Sequence, residues 1–93
     1  YASILHYLKA VEALGDKDAK AVVEKMKELP TEDALFGNGE VRADGRHIHD
    51  SYLFRVKTPE ESEGPWDYYE TVSTTPAAQA FRPLEDGGCS LVQ

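Results

Sequence analysis

The segment Gly37–Tyr52, "GNGEVRADGRHIHDSY", puts two histidines in a His-x-His pair beside two glycine turn signals. On a strand, residues two apart project to the same face, so the His47 and His49 imidazoles could share a metal ion. Zinc, however, takes three or four protein ligands. His6 falls in a helical pattern and Cys89 in the distal tail, and no spacing ties either to the pair. The expectation is two solvent-facing histidines on an edge strand and no metal site.

Other chemistry-bearing residues are weaker. Trp66, Tyr68 and Tyr69 could stack on a sugar or base, but such residues at a strand start more often pack against a neighbour. Glu60, Glu61 and Glu63 lack the alternating Asp rhythm of a calcium loop and read as a solvated loop. Ser3, Ser51, Ser62, Ser73 and Ser90 occupy no Gly-x-Ser-x-Gly setting, and no glycine-rich loop leads to Lys-Ser or Lys-Thr. No catalytic residue and no cofactor is expected. The chain does not read as an enzyme.

Charge narrows the partners. Seventeen acidic and ten basic residues give a formal net charge of −7. The lysines and arginines are interspersed with acids, as in "KDAKAVVEKMKELPTED". A nucleic-acid partner, which needs clustered cations to displace counterions, is disfavoured. No apolar run is long enough for a membrane helix, and residues 1–14 lack the order of a signal peptide.

The elements that must position these residues change period along the chain. Tyr1, Ile4, Leu5, Leu8 and Val11 recur at helical spacing, with Gly15 as the stop. From Asp18 to Leu29, Ala19, Val22, Val23, Met26 and Leu29 form a second apolar stripe that Pro30 ends. Two helices are expected, as a hairpin or side by side on a sheet. Asn38-Gly39 reads as a turn, Glu40–Arg42 as a short strand and Asp44-Gly45 as a two-residue hairpin turn. "RHIHDSYLFRVK" then alternates, with Ile48, Tyr52, Phe54 and Val56 on one face and His47, His49, Ser51, Arg55 and Lys57 on the other. A further strand is expected in "WDYYETVSTT", followed by an irregular tail anchored through Phe81, Leu84, Leu91 and Val92.

In order and spacing, "YASILHYLKAVEALG", "AVVEKMKELP", "NGEVRADGRHIHDSYLFRVKTPEES", "GPWDYYETV" and "AFRPLEDGGCSLV" cover essentially the whole chain. The series resembles the carboxy-terminal part of periplasmic substrate-binding proteins of the branched-chain amino acid type of ABC transporter. The resemblance implies an α/β fold, the C-terminal portion of a two-lobed type I periplasmic binding protein. Residues 1–45 would belong to the first lobe, and 46–51 would be a hinge crossover. Residues 52–75 would be strands pairing with the second lobe, and 76–93 the tail. The two glycine turns would redirect the chain at the crossing, with His47 and His49 as passengers.

By the same resemblance, the pocket residues lie before Tyr1, so no ligand-binding residue is assigned here. Cys89 would pair with a cysteine outside this chain. The ligand would be an amino acid or related small carboxylate or amide. The partners would be the remainder of the same protein and the membrane subunits of an ABC permease, in the periplasm. Two rival readings are a ligand-sensing domain of the same fold in a receptor or regulator, and an autonomous small α+β interaction module.

Overall fold

The computed structural model describes residues 1–92. Helix α1 spans Ala2–Leu14 and ends at Gly15, whose φ of 72° lets its N–H reach the Val11 carbonyl at 2.8 Å. Helix α2 spans Ala19–Glu28. The Asp18 carboxylate caps it by accepting the Ala21 N–H at 3.0 Å. Lys25 and Lys27 in its last turn complement the helix dipole. The helices pack on each other, with Ala10 and Val22 buried. His6, also buried, donates its Nε2–H to the Met26 carbonyl at 2.7 Å and so joins the two helices.

Three short antiparallel strands follow in the order β1-β2-β3: Thr31–Asp33, Gly37–Val41 and His47–Ile48. Lys9 donates to the Glu32 carbonyl at 2.8 Å and Lys27 to the Ala43 carbonyl at 3.0 Å, which ties both helices to this sheet.

The first hairpin differs from the sequence expectation. Asn38-Gly39 is not a turn; both residues lie inside β2, opposite Glu32 and Thr31. The turn is Ala34–Phe36, held by the Asp33 carboxylate, which accepts the Leu35 and Phe36 N–H groups at 2.7 and 2.8 Å. The Phe36 N–H foremost holds that carboxyl below its usual range. Gly39 is there for proximity: a Cβ on it would stand 2.3 Å from the Ile48 carbonyl oxygen. The second turn falls where expected but is one residue longer. Arg42 N–H bonds to the Arg46 carbonyl at 2.8 Å, which leaves Ala43, Asp44 and Gly45 as a three-residue loop with Gly45 at φ 84°.

The expected long alternating strand is interrupted at His49-Asp50. Beyond the break, β4 (Ser51–Val56) pairs antiparallel with β5 (Tyr69–Thr75) in a separate two-stranded ribbon. Ile48 and Tyr52 therefore sit on different sheets. A register shift between Leu53 and Phe54 leaves Val72 as the extra residue on β5. β5 begins at Tyr69 rather than Trp66, because Trp66 sits in a turn at φ 72°. Lys57 pins this connection with both oxygens of Asp67, at 2.8 and 2.9 Å.

Leu53, Phe54, Val56, Tyr69 and Val72 of the ribbon are exposed, as are Ile4 and Leu8 of α1. A lone two-stranded ribbon is marginal in water, so these faces call for a cover. The tail is less irregular than its sequence suggests. It forms a one-turn helix α3 (Ala77–Ala80) and 3-10 turns at Leu84–Gly87 and Ser90–Val92. Gln93 of the expected tail lies outside the described residues.

Candidate functional site

The junction between sheet and ribbon, residues 46–51, is where the chain gathers its polar and aromatic side chains. β3 places His47 over β1, where its Nε2 shares a 2.8 Å hydrogen bond with the Thr31 hydroxyl, itself buried. The rings of His47 and His49 lie 4.9 Å apart. Phe36 stacks 4.2 Å from His49 and meets His47 edge-on at 5.8 Å, while Phe81 from the tail meets His49 edge-on at 5.5 Å.

The histidines are therefore half-buried in an aromatic cluster rather than solvent-facing. The expectation failed because the two phenylalanines that cover them come from elements distant in sequence. Burial, then the neighbouring His49, pushes the His47 imidazole below its usual pKa. Among the described residues no group of three or more His, Cys, Asp or Glu side chains is placed to hold a metal ion.

Two carboxylates organise the surroundings. The Asp50 side chain accepts the Ala77 N–H at 2.8 Å and so ties the point where the chain leaves for the ribbon to the point where it returns. Asp44 receives Arg42 bidentately, at 3.1 and 2.7 Å, and accepts the Arg46 N–H at 3.2 Å. The Arg42 guanidinium holds the Asp44 carboxyl down at about 2. Arg42 also donates to the Arg82 carbonyl at 3.0 Å, fastening the tail to the hairpin. Between hairpin and tail lies an open cleft of about 900 Å³, lined by Arg42, Arg46, His49, Phe81, Arg82 and the half-buried free thiol of Cys89 among others.

The other sequence candidates stay apart from this junction. Trp66 is 84% exposed and meets only Tyr68 among the aromatic rings, edge-on at 6.1 Å, so the expected packing is absent among the described residues. Glu61 is engaged rather than free. It accepts from Arg55 at 2.9 and 3.1 Å and from the Thr58 N–H at 2.8 Å, and Arg55 foremost lowers its pKa to about 2. Sequence reasoning missed Asp33, Phe36 and Asp50. The Asp-x-x-x-Gly spacing of Asp33 and Gly37 was the one local signal for the turn that delivers Phe36.

The model of the family described as periplasmic binding protein matches residues 1–65. The chain belongs to that family. The match takes in both helices, the three-stranded sheet, the junction and β4. Two solved periplasmic binding proteins superpose on the whole chain. One, a periplasmic binding protein from Burkholderia mallei, is 43% identical with a TM-score of 0.87. The other is a branched chain amino acid ABC transporter periplasmic ligand-binding protein from Burkholderia xenovorans LB400, 42% identical with a TM-score of 0.89. This chain covers 24% and 25% of theirs, so it spans about a quarter of the length of the periplasmic binding proteins it matches. No curated protein matches it.

Proposed function

We propose that the chain is the C-terminal part of a solute-binding protein that delivers amino acids, or related small carboxylates or amides, to an ABC permease in the periplasm. Its action is non-catalytic: solute bridges two lobes and shifts an open–closed equilibrium toward the form the permease accepts. Residues 1–45 belong to the first lobe, 46–51 form a hinge crossover, 52–75 join the second lobe, and the tail runs back across the junction. Cys89 pairs with a cysteine elsewhere in the protein, as an oxidising compartment allows.

The observation that carries this reading is the break at His49-Asp50, which divides one alternating stretch of sequence between two separate sheets. It gains weight from 42% identity to a branched-chain amino acid transporter protein over the full chain. The exposed apolar faces of α1 and the ribbon suit a cover supplied by the other three quarters of such a protein.

The test is Gly45→Val in the intact protein. Gly45 holds φ 84° with open space around it, so a β-branched residue there strains the backbone without a steric clash. A shift of about 1.4 kcal/mol against the closed form lowers apparent solute affinity roughly tenfold when the closed form is the minor one without solute. Titration calorimetry against a panel of amino acids, with X-ray scattering for closure, reads both. Solute binding without compaction, or equal affinities at equal stability, would refute the hinge assignment.

A further inference from the structure

We propose that the cleft between the β2–β3 hairpin and the tail binds a small oxyanion, with Arg46 and Arg82 as its donors. The chain carries a net charge of −7, yet three of its four arginines line this one cleft. Arg42 is committed: its fork is closed on Asp44, and its remaining bond goes to the Arg82 carbonyl. Among the described residues Asp44 is the one carboxylate lining the cleft, and Arg42 neutralises it. Two guanidinium charges remain.

Neither has an ion-pair partner among the described residues: no carboxylate oxygen there lies within ion-pair distance of the Arg46 or Arg82 guanidinium. Arg46 lies 5.9 Å over the Phe81 ring. That contact is an attraction of the cation to the ring and occupies no hydrogen-bond acceptor, so the guanidinium N–H groups keep their capacity to donate. Glu40 and Glu85 act on Arg42 through space but do not line the cleft. His49 lines it too, with Nδ1–H donated to the Asp50 carbonyl, so only Nε2 is left to face a ligand.

Guanidinium donors match a carboxylate or a phosphate with paired bonds, so the shared chemistry is an oxyanion with at least two free oxygens. The pocket residues expected from the resemblance lie before Tyr1. The oxyanion site is defined by Arg46 and Arg82, and its test is read separately from solute titration.

The test is calorimetric titration of the intact protein with phosphate, sulfate and succinate, each against chloride at matched ionic strength. Saturable one-site binding is expected, with chloride inert. Preference for phosphate and sulfate over succinate would identify a tetrahedral anion, and the reverse a carboxylate. Arg46→Gln with Arg82→Gln should weaken binding at least tenfold, and Arg55→Gln, on the ribbon, should leave it unchanged. Should the double variant misfold, Arg82→Gln alone, at an exposed position, carries the same expectation at a smaller fold-change. Binding no stronger than chloride, or equal in wild type and a folded Arg82→Gln variant, would overturn the proposal.

Discussion

Replacing Gly39 with alanine sets two backbones against each other. The new Cβ would stand 2.3 Å from the Ile48 carbonyl oxygen, 2.8 Å from the Thr31 hydroxyl and 3.1 Å from His47 Nε2. Reaching even 3.0 Å from the carbonyl requires β2 and β3 to part by roughly 0.7 Å, and Thr31 on the other strand blocks the easy direction. The carbonyl is backbone, so no rotamer change relieves the contact. Overpacking of this kind costs about 1–3 kcal/mol. Two controls separate the clash from glycine's other effects. Gly64→Ala meets open space at an ordinary φ and should be near neutral, whereas Gly37→Ala also meets open space but at φ 65° and should cost about 1 kcal/mol. Urea denaturation of the intact protein, compared at constant m-value, reads all three. Gly39→Ala as mild as Gly64→Ala would refute the close approach of β3 to β2.

His47→Ala strips the buried Thr31 hydroxyl of its partner and should cost about 1–3 kcal/mol in the same assay. Because burial lowers the His47 pKa in the folded state, its contribution is present above the usual 6.5 and is lost as pH falls below it, so the variant should lose less stability than wild type over that descent. At lower pH the carboxylates take over. Glu61 titrates at about 2 in the folded chain against the usual 4.5, so its stabilisation is full above 4.5 and disappears as pH falls through about 2. Glu61→Gln should flatten the acid limb of a pH-denaturation curve in that window, by an amount that salt reduces because the Arg55–Glu61 pair is exposed. An unchanged limb would count against the pairing.

The helices were legible because their signals are local: a 3.6-residue period, Gly15 to stop one and Pro30 to end the next. The sheet was legible only in part. Asn38-Gly39 is a strong turn signal by composition, but the glycine answers to the Ile48 carbonyl, a neighbour that no local window contains. Asp44-Gly45 did mark a turn, because positive φ at Gly45 is a property of that residue alone, but the loop length depended on the Arg42–Arg46 bond. Alternation in "RHIHDSYLFRVK" put the two histidines on one side, and their rings do meet. It could not show that the strand breaks between His49 and Ser51, since both halves keep the same period. Nor could it show the burial of the pair, which depends on Phe36 and Phe81.

The bond from the Ala77 N–H to Asp50 has a mechanical consequence. The β4–β5 ribbon leaves the three-stranded sheet at Asp50 and comes back at Pro76, and Ser51 pairs with Thr75 at its root. Two parallel tethers clamped side by side behave as a flat leaf spring. A single connecting strand can swivel about every backbone bond, whereas a paired one resists twisting and yields mainly by flexing perpendicular to its own plane. Flexing perpendicular to the ribbon's plane is thereby the softer motion and twisting the stiffer one. Cutting the Asp50 clamp would leave the Ser51–Thr75 pairing to hold the root and so soften the twist.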